Sequence, residues 1–118
     1  MKPVLRSFLP LSTATLHILL ALAAEERHGY GIMQEVARQS GGQYKLGPGT
    51  LYDNLQKLTD QGVVTETGRR AAGDDPRRRY YRLTGLGRTI LATEVTRLEG
   101  LVREARRHLP MARPERAI

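Results

Sequence analysis

Apolar positions along this chain fall into blocks of different period. Leu16, Ile18, Leu19, Leu20, Leu22 and Ala23 leave almost no polar side. A helix apolar nearly all round belongs inside a protein, so this segment is expected as the central helix of a small bundle. Pro10, Ser12 and Thr13 precede it and offer a hydroxyl to cap its free amides. The helix is expected to end around Glu25–His28, with Gly29 as the break. From Tyr30 to Ser40, Ile32, Met33, Val36 and Ala37 recur at i, i+1, i+4 and i+5, with Gln34, Glu35, Arg38 and Gln39 on the other side. That is one apolar helix face, stopped by Gly41-Gly42. A third helix opens at Gly47-Pro48-Gly49-Thr50, because proline suits the first helical position. Leu51, Leu55 and Leu58 make its narrow apolar stripe. At about 100° per residue, the opposite face carries Gly49, Asp53, Gln56, Lys57 and Asp60, flanked by Thr50 and Tyr52.

The period then shortens. Val63-Val64-Thr65-Glu66-Thr67 combines β-branched residues with polar alternation and predicts a strand. Gly68 to Pro76 is turn material, and Arg78-Arg79-Tyr80-Tyr81-Arg82-Leu83 predicts a second strand, so the pair forms a β-hairpin with a long arginine-lined loop. Thr84-Gly85 caps a last, longer helix whose apolar positions run from Leu86 through Ile90, Leu91, Val95, Leu98, Leu101, Val102 and Ala105 to Leu109. Pro110 stops it.

Charge adds what periodicity cannot. The 118 residues carry 19 Lys+Arg against 12 Asp+Glu, a net +7. A small, strongly basic domain points to a polyanionic partner, nucleic acid before an anionic membrane. The surplus is local: residues 68–82 hold six arginines against two aspartates, and the rest of it lies in residues 103–118. Cysteine is absent, which excludes disulfides, thiolate metal sites and cysteine nucleophiles and fits a reducing, cytoplasmic setting. The apolar run contains His17 and is followed by Glu25-Glu26-Arg27, so a secretory leader is not expected. It also falls short of the about 20 apolar residues a membrane span needs. His17, His28 and His108 are scattered, so no metal is expected. With no nucleophile elbow, phosphate loop or paired carboxylates, neither catalysis nor a cofactor is expected.

Three helices, a hairpin and a long helix make a mainly α chain with a β-hairpin, an α+β class. The order is that of a winged helix-turn-helix, in which the third helix enters the major groove and the hairpin lies along the backbone. Thr50, Asp53, Gln56 and Lys57 can bond base edges or phosphates. The hairpin cations Arg69, Arg70, Arg77, Arg78 and Arg79 would supply salt-dependent affinity. The leucine-rich stripe of the last helix needs a partner, since an isolated apolar helix face is costly in water. A second reading keeps the winged helix but gives its basic hairpin an acidic protein partner.

Several motifs occur in order. They are His28-Gly29-Tyr30-Gly31-Ile32, Gly47-Pro48-Gly49-Thr50-Leu51-Tyr52 running on to Leu58, Gly62-Val63-Val64, and Tyr80-Tyr81-Arg82-Leu83-Thr84 with Gly87-Arg88. Together they resemble the PadR family of transcriptional regulators over about Leu11 to Arg107, in its short form with a single C-terminal helix. The resemblance implies a homodimeric repressor that binds a pseudo-palindromic operator and is released by an aromatic or lipophilic effector. It implies that Thr50, Tyr52, Gln56 and Lys57 face DNA and that Lys45 reaches a phosphate. Many members carry proline where this chain has Asp53, a departure that sets an acid near the DNA face. The expected organisation is a DNA-binding part at 1–84, a dimerisation helix at 85–109 in the same compact unit and a flexible tail at 110–118. The effector and dimer surface is expected at Leu16, Leu19 and Leu20 of the first helix and Leu91, Val95, Leu98, Leu101 and Val102 of the last.

Overall fold

The computed structural model describes residues 5–68 and 78–110. A 3-10 turn, Leu5–Phe8, leads into helix α1, Thr13–Ala24. Strand β1, Arg27–His28, runs directly into α2, Gly29–Gln39, and α3 follows at Pro48–Asp60. The hairpin strands are β2, Val64–Thr67, and β3, Tyr80–Leu83, and α4 spans Gly85–His108. The sheet has three antiparallel strands in the order β1-β3-β2. The sequence predicts only two of them. The third is a two-residue pairing, Arg27 with Tyr81 and His28 with Tyr80, too short to leave an alternating pattern.

Helix ends follow local chemistry. The Ser12 side chain accepts from the Thr15 N–H and the Thr84 side chain from the Gly87 N–H, each satisfying an amide that the helix leaves open. Pro48 begins α3 as expected. The α2 cap is less obvious: the His28 ring accepts from the Gly31 N–H. Gly41, Gly42 and Gly62 take positive φ, the conformation that ends α2 and α3 cheaply only with glycine.

Helix α1 lies at the centre and touches α2, α3, α4 and β3. Ile18, Leu19, Ala21 and Leu22 are wholly enclosed, joined by Ile32 and Val36 of α2 and Leu51, Leu55 and Leu58 of α3. The hairpin adds Val64, Tyr81 and Leu83, and α4 adds Ile90 and Leu91. Here the expectation is corrected. Leu19 and Leu91, placed by sequence on an intersubunit surface, are enclosed in the chain's own core. Leu16 and Leu20 are half-buried, while Val95, Leu101 and Val102 stay exposed. The α1 stripe is apolar all round, so sequence could not tell its inward from its outward leucines.

Two carboxylates stiffen the frame. Glu94 on α4 is a buried charged residue of the core. Its Oε1 accepts from Arg97 Nε at 2.6 Å and its Oε2 from the Leu11 N–H at 2.9 Å. The Arg97 bond holds its carboxyl below the ordinary range, burial opposes this, and the Leu11 amide helps. Glu35 on α2, bonded first of all to Arg38, is likewise lowered, from 4.5 to about 2. A carboxylate depressed in the folded state contributes stability that is present above its unfolded pKa and is lost as pH falls through the folded value. The fold is therefore expected to hold a flat melting temperature above about pH 5 and to lose it progressively from pH 4.5 toward about 2. Glu94→Gln should lower the neutral-pH melting temperature and shrink this acid loss. A variant with an unchanged acid profile would rule Glu94 out as a contributor.

Candidate nucleic-acid interface

The exposed face of α3 is the one the periodicity predicts. Thr50, Tyr52, Asp53, Gln56, Lys57 and Asp60 are solvent-facing, opposite buried Leu51, Leu55 and Leu58. The helix is held by a chain of polar contacts to α1. Ser12 Oγ donates to Thr15 Oγ1 at 2.9 Å, Thr15 Oγ1 donates to Asn54 Oδ1 at 3.0 Å, and Asn54 Nδ2 donates to the Thr50 carbonyl at 2.8 Å. The start of α3 is thus tied to the entrance of the buried helix, which sets its orientation.

Gln56 and Lys57 share the outer face but not the same freedom. Gln56 Nε2 donates to Asp60 Oδ1 at 3.0 Å, so the amide is held along the helix. Lys57 and Lys45 are exposed, Lys45 just ahead of the helix. Asp53 sits between these residues, at the middle of the exposed face. Removing its charge is expected to help any polyanion approach. Asp53→Ala should tighten binding to unrelated duplexes several-fold at low salt, read by fluorescence anisotropy. Weaker binding instead would mean that the carboxylate itself accepts from the ligand, as an acid can from a cytosine amino group.

Tyr52 leaves the outer face and joins α3 to the sheet. Its hydroxyl lies over Gly29, where an added Cβ would overlap it, and its ring is half exposed. It lines two adjoining cavities. One, of about 470 Å³, is bounded by His28, Gly29, Tyr30, Arg78, Arg79 and Tyr81 besides. The other, of about 350 Å³, lies between Leu55, Gln56 and Thr59 of α3 and Glu66, Arg79 and Tyr81 of the hairpin. The Tyr81 hydroxyl is pushed above its usual pKa, chiefly by burial, with Glu66 and Tyr52 adding and Arg79 opposing.

Of the hairpin arginines expected to meet DNA, the two that are described, Arg78 and Arg79, differ. Arg79 Nη1 donates to Glu66 Oε1 at 3.1 Å, an exposed pair whose acid competes with any outside anion. Arg78 Nη1 stands 2.9 Å from His28 Nε2. Arg69, Arg70 and Arg77 lie outside the described residues. Sequence missed His28 and Tyr30 as parts of this face. Gly29 reads as a helix break, whereas it is the point where the Tyr52 hydroxyl approaches the backbone. The signal was in the His28-Gly29-Tyr30 triplet, whose middle residue has no Cβ to block that approach.

A second surface lies on the outer side of α4, where Val95, Leu98 and Val102 form an open, mostly apolar groove edged by Glu99, Arg103 and Arg106. Leu16 and Leu20 sit apart from it on α1, so only part of the expected effector surface is brought together within one chain. No helix among the described residues is long and apolar enough to cross a membrane.

Comparison with known proteins settles the family. The profile of the transcriptional regulator PadR-like family matches residues 18–93. This chain belongs to the PadR-like family of transcriptional regulators. The chain is 39% identical over 89 residues to the transcriptional regulator Rv3488 of Mycobacterium tuberculosis, covering 75% of this chain and 78% of that protein. A PadR family transcription regulator from Clostridium difficile shares the fold, with TM-score 0.69 and 19% identity over 81% of this chain and 97% of that one. Bacillus subtilis PadR, solved in complex with operator DNA, matches with TM-score 0.60 and 25% identity over 87% of this chain and 52% of that one. The winged-helix architecture inferred from element order is that of these PadR-like regulators.

Proposed function

We propose that this PadR-like regulator is a homodimeric repressor that binds duplex DNA. In this reading α3 enters the major groove, and its Thr50, Gln56 and Lys57 meet base edges or phosphates. Lys45, Arg78 and Arg79, with Arg69, Arg70 and Arg77 of the hairpin loop, meet the backbone. The observation that carries the reading is the continuity of the surface. Tyr52 joins the exposed face of α3 to the arginines at the base of the hairpin, so one duplex can contact both. Bacillus subtilis PadR binds operator DNA with a related fold.

Two copies paired through the outer face of α4 would present two recognition helices to a pseudo-palindromic site, with half-sites about one turn of DNA apart. An aromatic or lipophilic effector fits the apolar walls of Val95, Leu98 and Val102, closed by a second subunit. It would release DNA only if it binds the DNA-incompetent arrangement more tightly.

Fluorescence anisotropy with duplex from the chain's own upstream region, beside a scrambled duplex and across a salt series, tests the DNA reading. Sequence-selective binding at physiological salt is the expected result. The double variant Arg78→Glu/Arg79→Glu should weaken binding to every duplex and flatten the salt dependence by roughly one unit of slope for each phosphate no longer neutralised. Unchanged binding would remove the wing from the interface.

A further inference from the structure

Gln56 stands on the exposed face of α3, and its amide is held by Asp60. Nε2 donates to Asp60 Oδ1 at 3.0 Å, and among the described residues Gln56 makes no other hydrogen bond. An ionised carboxylate only accepts, so the amide nitrogen must be the atom turned to Asp60 and the carbonyl oxygen is turned away from it. A side-chain amide that would otherwise flip freely is thus fixed in one sense. One of its two N–H groups is used. What it has left to offer is one acceptor, Oε1, and one donor.

Asp60 is an unexpected residue at its place. It is the last residue of α3, where the helix dipole disfavours an acid. It is also exposed on the face proposed to meet a polyanion. Neither the dipole nor general attraction to DNA favours a carboxylate there, whereas holding the Gln56 amide gives it a role.

The major-groove edges of the purines answer this amide differently. Adenine presents a donor, N6–H, beside an acceptor, N7, which is the complement of Oε1 and the remaining N–H. Guanine presents two acceptors, N7 and O6, and needs two donors. A freely turning amide can supply both from its NH2 group. Once Asp60 takes one of them, Oε1 is left facing a guanine acceptor and a bond is lost.

We propose that Gln56 reads an adenine in each half-site of the operator, and that Asp60 is the positioning residue that makes it reject guanine. The proposal rests on the duplex-DNA reading above and narrows the role of Gln56 there to one base. Gln56 also borders the cavity between α3 and the hairpin, so this adenine lies on the hairpin side of α3.

Duplexes that the full chain retains from a randomised pool give its preferred sequence. Each A·T pair of that sequence is then replaced by G·C, purine for purine, and affinities are measured for wild type, Gln56→Ala, Asp60→Ala and the double variant. Wild type is expected to prefer adenine over guanine at one position of each half-site by roughly ten- to hundredfold, the worth of one bidentate pair. Gln56→Ala should remove that preference and leave those at other positions. Asp60→Ala should tighten binding to every duplex through its lost charge. At the one position it should also cut the adenine-to-guanine ratio by about fivefold, because guanine is admitted. In the Gln56→Ala background Asp60→Ala should leave that ratio unchanged, since the two residues act through one amide. Altered charge or weakened folding shifts all duplexes together and does not move the ratio at a single position. If no adenine preference depends on Gln56, the base reading is overturned. An unchanged ratio in Asp60→Ala overturns the role of Asp60. A wild-type chain that retains no duplex at any salt fails differently, because it overturns the DNA reading itself.

Discussion

Val95→Glu/Val102→Glu is expected to convert the proposed dimer to a monomer and to lower its affinity for a two-half-site operator by roughly 10²- to 10⁴-fold, the range of avidity that disappears when two linked binding events become one. Both valines are exposed on the outer face of α4, so their replacement leaves the enclosed core of the single subunit intact. They border the same groove as Leu98, and a carboxylate there would have to be desolvated against apolar side chains of a second copy. Sedimentation or light scattering reads the first effect and anisotropy the second. The contrast with a single half-site duplex is informative, because a monomer should bind it nearly as well as one subunit of the wild type does. A variant that remains dimeric would move the dimer contact away from this groove. A monomeric variant with undiminished operator affinity would show that the chain acts alone.

Gly87→Ala is the second large effect, on stability. Gly87 is buried in the first turn of α4, and a Cβ there would collide with the Val63 carbonyl. That carbonyl accepts from the Thr84 N–H at 3.1 Å. The Thr84 hydroxyl also stands 3.0 Å from it and donates to the Gly62 carbonyl at 2.6 Å. The obstacle is therefore fixed backbone rather than a yielding side-chain tip. Relief requires α4 to move away from the turn that follows α3. Overpacking of this kind costs about 1–3 kcal/mol, which for a domain of this size is a fall of roughly 5–20 °C in melting temperature. Gly85→Ala, two residues earlier in open space, should melt within a few degrees of wild type. Equal melting of the two variants would mean that the turn accommodates the methyl group.

Much of this architecture was legible because its signals are local. The hydroxyls of Ser12 and Thr84 and the ring of Pro48 mark helix starts where the helices begin. Alternation in Tyr80–Leu83 puts Tyr81 and Leu83 inside and Arg82 outside. The exposed face of α3 followed from three leucines at helical spacing. What was not legible depends on partners remote in sequence. The β1 pairing joins Arg27 to Tyr81. Glu94 reads as an ordinary surface charge beside Arg97. It is buried, and its carboxylate accepts from the Leu11 amide, 83 residues away in sequence. Arg79 reads as one of several equal phosphate ligands, yet Glu66 on the neighbouring strand engages it.

The winged-helix order, the exposed face of α3 and the concentration of positive charge in the hairpin could be read from the chain alone, because caps, period and charge are properties of neighbouring residues. Only the tertiary structure decided which α1 and α4 leucines are spent on the chain's own core. It also decided that Tyr52 bridges α3 to the sheet and that His28 caps α2 while facing Arg78. Those outcomes depend on how elements are placed against one another, and a side chain's role there is set by distance in space rather than by its position along the chain.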